Sequence, residues 1–193
     1  MCFPRLAFWP ARSLPIWYLE ATLFLGGFVL WAFVFAWHAQ YTNRPVFTVK
    51  WSVGLFVTTT LAGILAAMGL HLFLDPSLRL AKPEDYPANL KEWIAMTLFS
   101  LALTELFLVF APFAWLIRLS RNQWFSASLT VLLGVIVLAL RNHSAPVAPS
   151  LFATLLLLRV ISGCVTVVIY LRGGILLVWW WTLLIEARHL LIL

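Results

Sequence analysis

The chain has 193 residues, 63% hydrophobic and 10% charged, with a formal net charge of +6. Soluble domains carry roughly 25% charged residues, so the composition argues against a water-soluble fold. The Lys and Arg residues are scattered rather than gathered in the basic stripe of a nucleic-acid binder, and Cys2 and Cys164 form neither a disulfide framework nor a CxxC pair.

Residues 1–15 hold Pro4, Pro10 and Pro15 beside Arg5, Phe8, Trp9 and Arg12. Three prolines forbid a continuous helix, and the aromatic–arginine mixture suits an arm lying in the membrane interface. The apolar run that follows is too long for a cleavable signal. Apolar runs of about 20 residues, the length that crosses a bilayer core, then recur along the chain. The first is Ile16–Trp37, with Gly26-Gly27 offering a close-approach face and His38 just beyond. A polar loop, Ala39–Lys50, leads to the second, Trp51–Leu74, which carries Thr58, Thr59 and Thr60, small residues at Ala62-Gly63 and Ala66-Ala67, and His71 near its far end. The longest polar loop spans residues 75–91. The third run, Trp93–Leu116, has Glu105 near its middle and a kink expected at Pro112. The fourth is Trp124–Leu140, followed by a loop with Arg141 and His143.

The last two runs, Leu151–Leu171 and Ile175–Leu193, read as a hairpin turning at Arg172-Gly173-Gly174. Arg159 and Glu186 each lie about 13 residues, or about 20 Å of helix, from that turn, so the sequence predicts an ion pair between them at matched depth. A charge inside the bilayer is costly, roughly 2.5–3.5 kcal/mol on insertion scales, which makes Glu105, Arg159 and Glu186 the residues to explain. An isolated Arg188, nearer the helix end, is expected to snorkel to water.

The reading is therefore an all-α, polytopic transmembrane bundle of about six spans. Residues 1–193 make one integral-membrane domain, with 1–15 as the interfacial arm and 16–193 as the bundle. An even number of spans puts both termini on one side. That side collects Arg5, Arg12, Arg79, Lys82, Lys91, Arg141 and Arg188, against Arg44, Lys50, Arg118, Arg121 and Arg172 on the other, and this excess places the termini in the cytoplasm.

The histidines divide by depth. His38 and His71 end successive antiparallel spans, so they cannot clamp one haem between them. Each is a candidate axial ligand for a chlorophyll-type pigment, with Ala67 one turn before His71 leaving space over its ring. No metal site is expected. Trp179, Trp180 and Trp181 lie well inside the last span, and successive helical residues diverge by about 100°, so at least one must face lipid, a cofactor or another subunit. No nucleophile elbow or phosphate-binding glycine loop is present.

From about Ala102 onward the order of features resembles the Abi/CAAX-protease (CPBP) family of intramembrane proteases. Thr104-Glu105-Leu106-Phe107 looks like the family's Glu-Glu-x-x-x-Arg motif with one Glu retained and Val109 where the Arg would stand. The Phe-x-x-x-His motif would fall near Val137–Arg141 or Ala139–His143, without its Phe. The closing His-x-x-x-Asn would fall near Glu186–Leu190 or His189–Leu193, without its Asn. The resemblance implies either a working glutamate protease using Glu105, His143 and His189, or a pseudoenzyme in which Arg159 and Glu186 pack the old interior. The missing motifs favour the second. The expected protein is a non-catalytic accessory or scaffold subunit of a larger membrane complex, with a photosynthetic or respiratory assembly as candidate host. Its expected partners are the lipid bilayer and other membrane subunits, not nucleic acid, and pigment or lipid is the candidate cofactor.

Overall fold

A computed structural model describes residues 16–47, 52–144 and 146–191; the expected interfacial arm at 1–15 lies outside them. All regular structure among the described residues is helical. Helix α1 is Ile16–Thr42, α2 is Val53–Gly69, α3 is Asp75–Ala81, α4 is Leu90–Phe99, α5 is Ala111–Ser120, α6 is Gln123–Ser144 and α7 is Pro149–Glu186. Wider, π-helical turns join α2 to α3 (Leu70–Leu74) and α4 to α5 (Ser100–Thr104 and Leu106–Phe110), so these pairs are continuous rods. Five segments are long and apolar enough to cross a membrane: Glu20–Thr42, Val53–Ala81, Leu90–Ser120, Gln123–His143 and Pro149–Leu191. The architecture is that of an all-α integral membrane protein.

The helix ends follow local chemistry. Thr42 returns its hydroxyl to the His38 carbonyl (2.6 Å), and Asn43 then takes a left-handed conformation (φ 55°) that stops α1. Ser52 caps α2 by accepting from the Leu55 amide (3.1 Å). Asn89 caps α4 through the Glu92 amide (3.0 Å), while the Glu92 carboxylate takes the Ala88 amide (2.8 Å), close to a reciprocal capping box. Arg121, at φ 52°, ends α5, and the Asn122 side chain accepts from the Trp124 and Phe125 amides to start α6. Pro112 has no N–H to return to the turn before it. The ladder absorbs that defect in two π turns that flank Glu105 on either side, a distortion common near functional residues.

Helix boundaries differ from the sequence reading at several loops; α6 runs on through Arg141 and His143, expected in a loop, to Ser144. The expected 39–50 loop begins later, because α1 runs on to Thr42. The expected 75–91 loop begins as helix, because α3 runs on from the wider π turn at Leu70–Leu74, which lies just ahead of Pro76. Asp75 and Arg79 are consequently helical residues with fixed directions.

The last segment doubles back. Gly174 breaks α7 at φ 70°, ψ −169°, a region essentially restricted to glycine. At the turn, the Ile175 amide donates to the Val46 carbonyl (3.1 Å) and Arg44 donates to the Leu171 carbonyl. At the other end, the Trp93 indole donates to the Glu186 carbonyl (2.9 Å). Were α7 straight, Arg159 and Thr182 would stand about 35 Å apart; instead both address Glu105. The first limb (149–173) packs on α6 and the second (175–186) on α2, so the last of the five segments is folded into two limbs.

Side-chain size sets these contacts. A Cβ on Gly63 would meet Leu184 Cδ1 at 2.7 Å, so α2 approaches the second limb through a backbone face, with Ala67 buried one turn further on. The close approach expected at Gly26-Gly27 is not formed: a Cβ on Gly27 would stand 3.5 Å from Leu103 Cδ2, an ordinary contact, and Gly26 has open space around it. Phe110, Phe113, Ile117, Tyr170, Ile175 and Leu177 form the centre of the core. The three tryptophans diverge as the helical period requires. Trp179 meets Trp31 and Phe47, Trp180 donates to Thr60 Oγ1 (2.9 Å) and stacks on Phe56, and Trp181 enters the core. All three thus find partners on α1, α2 or in the core of the same chain, where the sequence reading looked to lipid, a cofactor or another subunit.

An alanine at Gly174 must adopt a conformation that its Cβ opposes, at a cost of about 1–3 kcal/mol. Gly174→Ala is expected to lower the midpoint of thermal unfolding in detergent, followed by circular dichroism. Gly26→Ala, in open space within a helix, should leave it unchanged or raise it slightly.

Candidate functional site

The polar interior lies where the rod through α4 and α5 meets the α7 hairpin. The π turns hold Glu105 toward the bundle, where Thr182 Oγ1 donates to Glu105 Oε1 (2.9 Å). One turn later on the same limb, Glu186 Oε1 accepts from Ser100 Oγ (3.0 Å) and Oε2 lies 3.6 Å from His189 Nε2. Thr182 and Glu186 are spaced four apart, so one face of the second limb presents both to the rod. Ser100 and Thr182 are buried at 4% and 7% exposure.

Arg159 enters from the first limb. Its guanidinium lies over Gly134 of α6, where even a methyl group would stand 2.5 Å from Nη2. Arg159 and Glu105 are near enough to act on each other through their charges, but among the described residues they form no ion pair within 4.0 Å. The ion pair expected between Arg159 and Glu186 does not form among the described residues. Equal spacing from a turn does not fix direction, because rotation about each helix axis decides contact. The rod carrying Glu105 stands between the two residues, and Glu186 turns to Ser100 and His189 instead.

A second polar group closes the end of the bundle that holds Glu186. Asp75 is 1% exposed. It lies 3.3 Å from Arg188 Nε and accepts from the Tyr86 hydroxyl (2.8 Å), with His71 Nδ1 at 3.8 Å. Arg188 also donates to the Ile185 carbonyl (2.8 Å). The expected snorkelling arginine is therefore half-buried and paired. Burial first, and then the hydrogen bond to Asp75, raise the Tyr86 phenol above its ordinary range, which keeps it a donor. Tyr86 also meets the His189 ring edge-on at 5.1 Å. Asp75, Tyr86, His189, Glu186 and Ser100 thus form a line of polar groups running from the bundle end toward Glu105. The Arg141–Asp85 pair (2.7 Å) is peripheral and more exposed.

The remaining sequence candidates are dispersed. His143 is exposed at the end of α6. His38 is 1% exposed, with Tyr170 at 4.7 Å and Phe113 at 6.0 Å from its ring centre. His71 is half-exposed near Asp75. No histidine nitrogen lies at ion-pairing distance from Glu105, and no three metal-ligating side chains converge, among the described residues.

Sequence reasoning missed Ser100, Thr182, Gly134 and the Asp75–Tyr86–Arg188 group. The Thr182/Glu186 spacing was available as a signal. Asp75 was not, because it was assigned to a loop.

The fold and its charged interior define a helical integral membrane protein. No family model, curated protein or solved structure matches the chain.

Proposed function

We propose that the chain is a non-catalytic integral-membrane accessory or scaffold subunit, akin to an Abi/CAAX-type protease whose interior has become structural. One observation carries this reading: the interior carboxylates and Arg159 are each taken up by the chain's own packing and hydrogen bonds. Arg159 lies flat over Gly134, Thr182 holds Glu105, and Ser100 holds Glu186. Hydrolysis needs a base and its orienting partner converging on one water, whereas here each carboxylate is engaged separately.

The outer surface suits such a role. Phe24, Leu25, Phe28, Val53 and Phe73 are 62–83% exposed on α1 and around α2, faces for lipid or for neighbouring membrane subunits. The host would be a larger membrane assembly, photosynthetic or respiratory, with the chain's termini in the cytoplasm by the basic-residue count. If a pigment binds, His71 is the imidazole that an outside macrocycle can reach; His38 is enclosed by aromatic rings.

The alternative, a glutamate intramembrane protease, draws on the His189–Glu186 approach, an acid–imidazole pair beside the interior. Protein reconstituted in vesicles and incubated with a set of transmembrane peptides separates the two. The accessory reading expects no cleavage above a protein-free blank. Cleavage abolished by Glu105→Gln would replace that reading with the protease.

A further inference from the structure

On the face of the bundle away from the α7 second limb, α1, α5 and α6 leave an apolar groove of about 590 Å³. Leu30 and Phe33 of α1, Phe107 and Trp115 around α5, and Leu129 and Ile136 of α6 lie along it. Pro112 is also in its wall. From Phe107 to Leu116 the groove follows nine residues of rod, about 14 Å, close to half of a hydrocarbon core about 30 Å thick. Its volume falls in the usual range for a small-molecule site, roughly 300–1,000 Å³. A cleft one leaflet deep and open along its side fits an acyl chain.

The mouth of the groove adds charge. Trp37 lines it, stacked on Phe33 (4.5 Å between centroids, 6° between planes), and the Arg118 guanidinium sits 4.4 Å from the Trp37 ring centroid. That cation–π contact fixes Arg118 at the end of the groove where α1 finishes and α6 begins. No carboxylate pairs with Arg118 among the described residues. The same end of the bundle carries Arg44, Arg121 and Arg172, while segments 38–47, 117–123 and 170–176 contain no acidic residue. An apolar cleft ending in a carboxylate-free basic rim is complementary to a lipid with an anionic headgroup.

We infer that the groove between α1, α5 and α6 binds one acyl chain of an anionic phospholipid, with Arg118 and the basic rim holding a headgroup whose phosphate charge is not offset by a cation of its own. This site is separate from the charged interior and does not depend on the accessory-subunit reading.

The test is native mass spectrometry of the full-length protein in mild detergent. Phosphatidylglycerol and phosphatidylcholine of identical chains are added at equal concentration. One phosphatidylglycerol per chain should be retained, with a preference of at least about fivefold from a single basic contact. Arg118→Gln should erase the preference without erasing the retained lipid, and Leu132→Trp, at an exposed groove wall, should abolish retention of both. Equal retention of the two lipids by the unaltered chain would overturn the proposal. So would no retained lipid, as expected if a partner helix or pigment fills the groove, or a preference untouched by Arg118→Gln. If either variant fails to fold, the lipid comparison on the unaltered chain still decides.

Discussion

Replacing Arg188 by alanine is expected to destabilise the bundle by about 3 kcal/mol, the lower end of the range for removing one member of a buried pair. Asp75 would keep the Tyr86 hydroxyl at 2.8 Å but lose the guanidinium at 3.3 Å, and its side chain is only 2% exposed. Arg141→Ala removes a similar contact, 2.7 Å to Asp85, from a place where the arginine is 51% exposed. Such pairs contribute about 1 kcal/mol or less. Denaturant or thermal unfolding of both variants in the same detergent checks the order. Equal stability of the two would show that the Asp75 group contributes no more than a surface pair. A large loss at Arg188 would also depart from the sequence expectation that this residue snorkels to water. Glu186 has Ser100 and His189 around it, so its removal strands no buried arginine.

The second large effect is coupling between Arg159 and Glu105. Arg159→Met would leave Glu105 with the Thr182 hydroxyl alone, and Glu105→Gln would leave Arg159 over Gly134 without its facing charge. Each single change should destabilise the protein. The double variant should be more stable than the sum of the two predicts by roughly 1–3 kcal/mol, as for residues that share one network. A cycle with no coupling would mean that the two charges are held independently, and the picture of a mutually locked interior would fail. Glu186→Gln combined with Arg159→Met serves as the comparison, because the structure puts no direct contact between those residues.

The traverses were legible because periodic apolar length and glycine punctuation are strong local signals. The hairpin at Gly174 followed from two adjacent glycines between apolar runs, and the close approach at Gly63 followed from its small neighbours. What could not be read was rotation. Arg159 and Glu186 lie equally far from the turn in sequence, yet a helix turns each residue about 100° from the next, and the two π turns around Glu105 shift the phase of its rod. A sequence pattern that assumes a uniform period misplaces every side chain beyond such a turn. Asp75 was hidden for a related reason. Pro76 reads as a helix breaker, but α3 runs on from the π turn just ahead of it, so a residue taken for loop became the buried centre of a polar group. Ser100 and Thr182 gave little signal, since hydroxyls in membrane helices commonly bond to their own backbone, as Thr58 does here with the Gly54 carbonyl (2.8 Å).

The accessory-subunit reading makes an assembly claim that one measurement addresses directly: native mass determination of the chain extracted from its own membrane in mild detergent. The chain alone is 21.9 kDa. The predicted result is a particle of larger, discrete mass that holds this chain in fixed ratio with at least one other integral membrane protein. A particle of the single-chain mass, carrying lipid and detergent but no other protein, would contradict the account.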